Sequence, residues 1–193
     1  MDIFSRIARF YDRIIPSFSL EKILPFLELK HKDIIVDLGG GTGRVSVSLL
    51  RETRECIVID VSLPMLKQAK KKSKDLYLIV AKAEKLPIRE NSVDKIIVND
   101  TFHHIMQWEH VKSLAEMYLS LKEDGTLLIR EFDRDYFWNK PLIIFEKLLR
   151  FKSTFYTPCE LKQLCINSNF NVEIKQLSRS SYLVIAKKKM QKI

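Results

Sequence analysis

Short apolar, β-branched runs recur along the chain, separated by stretches with helical spacing. Ile34–Leu38 (IIVDL), Cys56–Asp60 (CIVID), Leu76–Val80 (LYLIV), Lys95–Asn99 (KIIVN) and Thr126–Glu131 (TLLIRE) predict strands buried on both faces of a parallel sheet. Gly43–Arg51, Leu63–Lys72 and Trp108–Leu121 are predicted as helices. In the last, Val111, Leu114, Ala115, Tyr118 and Leu121 recur at helical spacing and read as one packed face. Lys122–Gly125 (KEDG) predicts a turn into the next strand. After a predicted helix at Pro158–Ser168, Asn171–Leu177 and Ser181–Lys187 read as two further strands. The short connection between them permits an antiparallel hairpin but no parallel crossover. The pattern predicts a doubly wound α/β sheet of seven strands, mostly parallel, ending in an antiparallel hairpin.

The length of 193 residues fits a single domain over 1–193. No apolar run approaches the ~20 residues needed to cross a bilayer. The opening segment MDIFSRIARFYDRII carries Arg and Asp where a signal peptide needs an apolar stretch, so a cytoplasmic protein is expected. Cys56, Cys159 and Cys165 have no CxxC spacing, and neither a disulfide nor a metal is expected. The formal net charge is +9, bunched at Lys67–Lys74 (KQAKKKSK) and Lys187–Lys192 (KKKMQK). A basic surface attracts nucleic acid or anionic membranes. Neither cluster is interleaved with aromatics that would stack on bases, so solvated faces are the expectation and nucleic acid is not favoured.

The chemistry concentrates at Val36–Arg44, VDLGGGTGR, directly after one strand and opening a helix. Gly39, Gly41 and Gly43 allow a tight turn whose backbone approaches a ligand, and the following helix offers free N–H groups. Asp60 ends the second strand, placed to accept from both hydroxyls of a ribose. Its competing role is to cap the helix near Ser62, which Ser62 itself can do. Together these features indicate a nucleoside-containing cofactor and leave NAD and S-adenosylmethionine open. The GxGxG spacing departs from the dinucleotide GxGxxG, Asp37 is unwelcome beside a pyrophosphate, and the terminal hairpin is a narrower architecture. All three favour a sulfonium cofactor bearing an ammonium group.

Here the sequence resembles the class I S-adenosylmethionine-dependent methyltransferases, most closely the small-molecule branch that includes the ubiquinone/menaquinone biosynthesis methyltransferases. VDLGGGTG matches the family's first motif, VNDTFHHI (Val98–Ile105) the segment after its fourth strand, and LKEDGTLLIREF (Leu121–Phe132) the next helix end and fifth strand. The resemblance implies a Rossmann-like fold, with Gly39, Gly40, Gly41 and Gly43 around the cofactor's methionine portion and Asp37 orienting that loop. It implies Asp60 on the ribose, Val61 and Met65 against adenine, Ala83 and Glu84 at the adenine edge, and the Asn99 carbonyl accepting from the ammonium. It also implies an N-terminal lid over 1–30 carrying Tyr11. Lys82 stands where many relatives have an acid, and KEDG replaces a proline-glycine turn.

Methyl transfer from a sulfonium is an in-line displacement on an activated carbon, for which alignment suffices, and no nucleophile triad is visible. A base is needed only for a protonated acceptor; His103 and His104 are the candidates, with Tyr11 and Asp100 behind them. His31 and His110 are read as surface residues without a role. The insertion 133–157 carries Tyr136, Phe137, Trp138, Phe145, Phe151, Phe155 and Tyr156, and is expected to cap a small apolar or aromatic acceptor. Its helix near Pro141–Phe151 would pack on the sheet through Phe145, Leu148 and Leu149. A nucleic-acid methyltransferase is the first alternative, although NDTF (Asn99–Phe102) replaces the N-P-P-aromatic run of the amino-methylating branch. A non-catalytic cofactor-binding protein is the second, and an NAD oxidoreductase the weakest.

Overall fold

A computed structural model describes residues 7–14, 20–148 and 152–188. The seven predicted strands are present: β1 Ile34–Leu38, β2 Glu55–Asp60, β3 Tyr77–Val80, β4 Val93–Asn99, β5 Leu121–Phe132, β6 Phe170–Gln176 and β7 Ser181–Lys188. They form one sheet in the order β3-β2-β1-β4-β5-β7-β6. β1 to β5 run parallel, and β7 pairs antiparallel with both β5 and β6. The helices are α1 Tyr11–Ile14, α2 Leu24–Leu27, α3 Arg44–Leu49, α4 Leu63–Lys72, α5 His110–Ser120, α6 Lys140–Leu148 and α7 Pro158–Asn167.

Period-two alternation divides the buried strand residues between two cores. Val36, Ile59, Ile96, Val98, Leu127 and Ile129 pack with Leu114 and Met117 of α5 and Leu161 and Cys165 of α7. Ile35, Val58, Ile97 and Leu128 pack on the other face with Leu27, Leu49, Leu66 and Ala69 of α2, α3 and α4. Helices on both faces force ligands to the carboxyl ends of the strands, where β1 and β4 diverge to opposite sides.

Four local expectations need correction. β3 is an edge strand, so Tyr77 and Val80 are exposed rather than buried on both faces. The packed face of α5 is His110, Ser113, Leu114, Met117 and Ser120, while Val111 is exposed. KEDG lies within β5 as a bulge: Val93 pairs with Leu121 but Lys95 with Thr126, and Asp124 takes a left-handed φ of 62°. Phe145 and Leu148 do not pack α6 on the sheet, being 56% and 78% exposed; Leu149 and Phe151 lie outside the described residues. In the basic run, Lys67, Lys70, Lys71 and Lys74 are exposed as expected. Residues 1–6 and 15–19 of the expected lid and Lys189–Lys192 of the second basic run also lie outside the described residues. Among the described residues, no helix is long and apolar enough to cross a membrane.

Candidate active site

The glycine loop leaves β1 and turns sharply because Gly39, Gly41 and Gly43 adopt φ of 72°, 55° and 70°. Gly39 N–H donates to the Ile59 carbonyl at 2.7 Å, tying the loop to β2. A Cβ on Gly39 would lie 2.0 Å from Thr101 Cγ2, and one on Gly43 2.9 Å from Ala69 Cβ. Gly41 differs: its hypothetical Cβ meets Met65 Cε at 3.5 Å, Asp60 Oδ2 at 3.9 Å and the Gly39 carbonyl oxygen at 4.0 Å, all ordinary contacts. Gly41 alone of the three therefore has no steric overlap at its Cβ position, which lies beside Met65 and Asp60.

Asp37 lies beneath the loop, fully buried, and accepts from Ser46 Oγ of α3 at 2.5 Å. Burial pushes its carboxyl up to about 6, against the pull of that hydrogen bond. Asp60 accepts from the Gly41 N–H at 3.0 Å through Oδ2 and from the Ser62 N–H at 2.8 Å through Oδ1. Ser62 Oγ caps α4 by accepting from the Met65 N–H at 3.4 Å, so Asp60 is not that helix's cap. Val61 is 61% exposed and Met65 is buried. Ala83 is buried; Glu84 pairs with the exposed Lys82 at 3.3 Å.

At the end of β4, Thr101 Oγ1 lies within hydrogen-bond distance of two carbonyls, Gly39 at 3.2 Å and Asn99 at 3.1 Å, joining the two sides of the cleft. The Asn99 carbonyl keeps a second lone pair for a further donor. Asn99 Oδ1 and Asp100 Oδ1 are buried acceptors without a hydrogen-bond donor among the described residues. Asp100 has a left-handed φ of 51° and pairs through Oδ2 with Arg130 Nη1 of β5. Its burial outweighs Arg130 and moves its carboxyl up to about 6.

The two histidines differ sharply. His103 is 3% exposed, stacks on Phe155 with centroids 4.4 Å apart, and directs Nδ1 to Glu131 Oε2 at 2.7 Å. Its Nε2 lies 3.6 Å from Glu146 Oε1 of α6. Burial alone would neutralise this ring, but the two carboxylates override it and hold its pKa at about 10. His104 points Nδ1 at Ser153 Oγ, 3.1 Å away. Burial and the neighbouring imidazolium push it down to about 4. His103 is therefore a buried structural cation at neutral pH, and His104 a neutral imidazole. His103, His104 and Glu146 bring ligand-type atoms within 4.8 Å of one another, but the positive charge there is His103's own.

Residues 7–14 fold back over the glycine loop. Thr42 Oγ1 donates to Asp12 at 2.6 Å, and Arg44 and Lys72 both pair with its carboxylate. The Arg44 guanidinium sits 5.2 Å from the Tyr11 ring centroid. Tyr11 also feels the charges of Asp100 and Asp60 and, half-buried, is raised above the ordinary phenol value by burial.

Several of these residues give little signal in the sequence. Asp12, Thr101 and Glu146 act through partners far along the chain. Arg130 and Glu131 did leave one: adjacent charges in an apolar strand, here 7% and 3% exposed, require buried partners. His110, read as a surface residue, is 1% exposed and lies between Tyr156 Oη at 2.8 Å and the Ile105 carbonyl at 2.9 Å. Of the expected acceptor cap, Phe155 is buried, whereas Phe137, Trp138 and Phe145 face outward.

Residues 36–129 match a family described as a methyltransferase domain. Over a 208-residue alignment the chain is 30% identical to the ubiquinone/menaquinone biosynthesis C-methyltransferase UbiE of Wigglesworthia glossinidia brevipalpis, covering all of this chain and 79% of that protein. It is 30% identical over 116 residues to the demethylmenaquinone methyltransferase of Renibacterium salmoninarum, covering 60% of this chain and 48% of the relative. In fold it is similar to a putative methyltransferase solved with the Haloferax volcanii Trm112 activator, with a TM-score of 0.84, 18% identity and coverage of 98% of this chain and 99% of that one. A methyltransferase from Aquifex aeolicus gives a TM-score of 0.75 at 22% identity, covering 97% and 99%.

Proposed function

Because this chain belongs to the class I S-adenosylmethionine-dependent methyltransferases, we propose that it methylates a small apolar or aromatic acceptor in the cytoplasm, a hydroquinone-type ring carbon being the preferred target. The observation that carries the cofactor half is Gly41 set without steric overlap beside Asp60 and Met65, together with two donor-less buried oxygens at the end of β4, Asn99 Oδ1 and Asp100 Oδ1. These residues fit the cofactor: acidic and carbonyl oxygens for an ammonium, Asp60 for ribose hydroxyls, exposed Val61 and buried Met65 for adenine. When bound, S-adenosylmethionine supplies a methyl group already activated by its sulfonium. Asp37 holds the loop from beneath through Ser46, leaving the loop's upper face to the ligand.

The acceptor preference draws on the relatives' names, which concern ubiquinone and menaquinone biosynthesis and demethylmenaquinone. Methylating a ring carbon requires a hydroxyl proton to be removed. His103 is already protonated and pinned between Glu131 and Glu146, and His104 at about 4 is a weak acceptor. Asp100 is held by Arg130 through Oδ2 and would face the cofactor's ammonium through Oδ1, so water is the remaining acceptor for that proton.

Thermal shifts with S-adenosylmethionine, S-adenosylhomocysteine and NAD test the first half. At 100 times the dissociation constant a ligand adds about 2.7 kcal/mol, several degrees, for the first two and not for NAD. Asp60→Ala abolishes the shift. Radiolabelled methyl transfer to reduced naphthoquinones and simple phenols tests the second. Transfer to neither, from protein that binds the cofactor, excludes this acceptor class.

A further inference from the structure

Helix α6 is turned inside out. A surface helix ordinarily buries its apolar stripe and shows its charges to water. In α6 the buried residue is Glu146, drawn inward to His103, while Ile144, Phe145 and Leu148 are 65%, 56% and 78% exposed. Just before it, Phe137 and Trp138 are 64% and 72% exposed and pack edge-to-face on each other with centroids 5.5 Å apart. So much large apolar surface within a dozen residues marks a contact face.

The charges around it say what covers it. From Tyr136 to Leu148 every exposed charged side chain is a lysine, Lys140 and Lys147, because the single acid, Glu146, points inward. Lys140 Nζ lies over the Phe137 ring, 5.5 Å from its centroid, so a cation stands directly beside the apolar face. Outward Trp and Phe flanked by lysines are the chemistry of the boundary between headgroups and acyl chains. A second copy of the chain would bring lysine against lysine, and lysine is depleted from protein interface cores. We propose that this face, formed by Phe137, Trp138 and the outer side of α6, docks on the surface of a bilayer rich in anionic lipid. Glu146 is buried against His103, which follows β4 and pairs with Glu131 of β5, so docking through the outer side of α6 sets the helix between the bilayer and the ends of those strands. The inference stands on this surface alone, whichever molecule takes the methyl group.

Co-sedimentation of the full chain with phosphatidylcholine vesicles, with and without phosphatidylglycerol, is the test. The protein pelleting with the anionic vesicles and far less with the neutral ones, with its tryptophan emission moving to shorter wavelength, is the expected result. Phe137→Ser/Trp138→Ser/Leu148→Ser and, separately, Lys140→Glu/Lys147→Glu each weaken partition by about tenfold or more. Both keep the cofactor-induced thermal shift, which shows them folded. Partition on neither vesicle overturns the proposal, as does undiminished binding by both variants. A wild-type dimer by light scattering that becomes monomeric in the triple-serine variant assigns the face to a second copy instead.

Discussion

An alanine at position 39 would place its Cβ 2.0 Å from Thr101 Cγ2 on a backbone at φ 72°. Steric overlap and left-handed strain act together there, so Gly39→Ala is expected to lower stability by about 2 kcal/mol or more in urea unfolding. Gly41→Ala shares the strain but meets nothing nearer than Met65 Cε at 3.5 Å, and costs about half as much while weakening cofactor binding. The adjacent histidines give a second contrast. An unperturbed imidazole titrates at 6.5; His103 is raised to about 10 and His104 lowered to about 4. The stabilisation from His103 is complete below pH 6.5 and lost as pH rises through about 10; that from His104 is present above 6.5 and lost as pH falls through about 4. Nitrogen chemical shifts should show His103 as an imidazolium at pH 8 and His104 still neutral at pH 5.5. Two rings titrating together near 6.5 would contradict the buried Glu131–His103–Glu146 arrangement.

At the scale of the element, α7 states its own beginning. Thr157 Oγ1 accepts from the Glu160 N–H at 3.3 Å and Glu160 Oε2 accepts from the Thr157 N–H at 2.8 Å, a reciprocal cap with Pro158 in the first turn. Thr157→Ala should cost about 1 kcal/mol, read as a lower melting temperature, with the cofactor shift intact. Local rules of this kind made the strands, most helices and the terminal hairpin legible from residue patterns. They failed where an element's setting matters more than its own residues. The period of α5 was visible, but not that His110 would be drawn inward by Tyr156 and a carbonyl while Val111 turned out. β3 looked like its neighbours because nothing within four residues records that no strand lies beyond it.

Across the whole molecule, the glycine loop and Asp60 were readable because they act within one βαβ unit. The partners of His103 were not: Glu131 and Glu146 reach it from β5 and α6, and only the finished fold brings them together. The same holds for Asp12, which links residues 7–14 to Thr42, Arg44 and Lys72 across the loop. Its side chain is 35% exposed, so Asp12→Ala should change global stability by less than about 1 kcal/mol. It should instead loosen this segment locally, raising trypsin cleavage after Arg9 and Arg13 several-fold, as peptide mapping would show. An unchanged cleavage rate would mean that Tyr11 and Arg44 hold the segment without it.

The strand order has a consequence for how the protein is made. β7 follows β6 in the chain but lies between β5 and β6 in the sheet. A ribosome therefore releases β6 before β7, the strand it pairs with among the described residues, exists, while β5 waits with one edge bare. The five parallel strands can assemble as the chain emerges, but β6 can join only when Ser181–Lys188 slides in beside Leu127–Ile129. Until then β5 presents a row of unpaired backbone N–H and C=O groups, an edge on which another chain could pair.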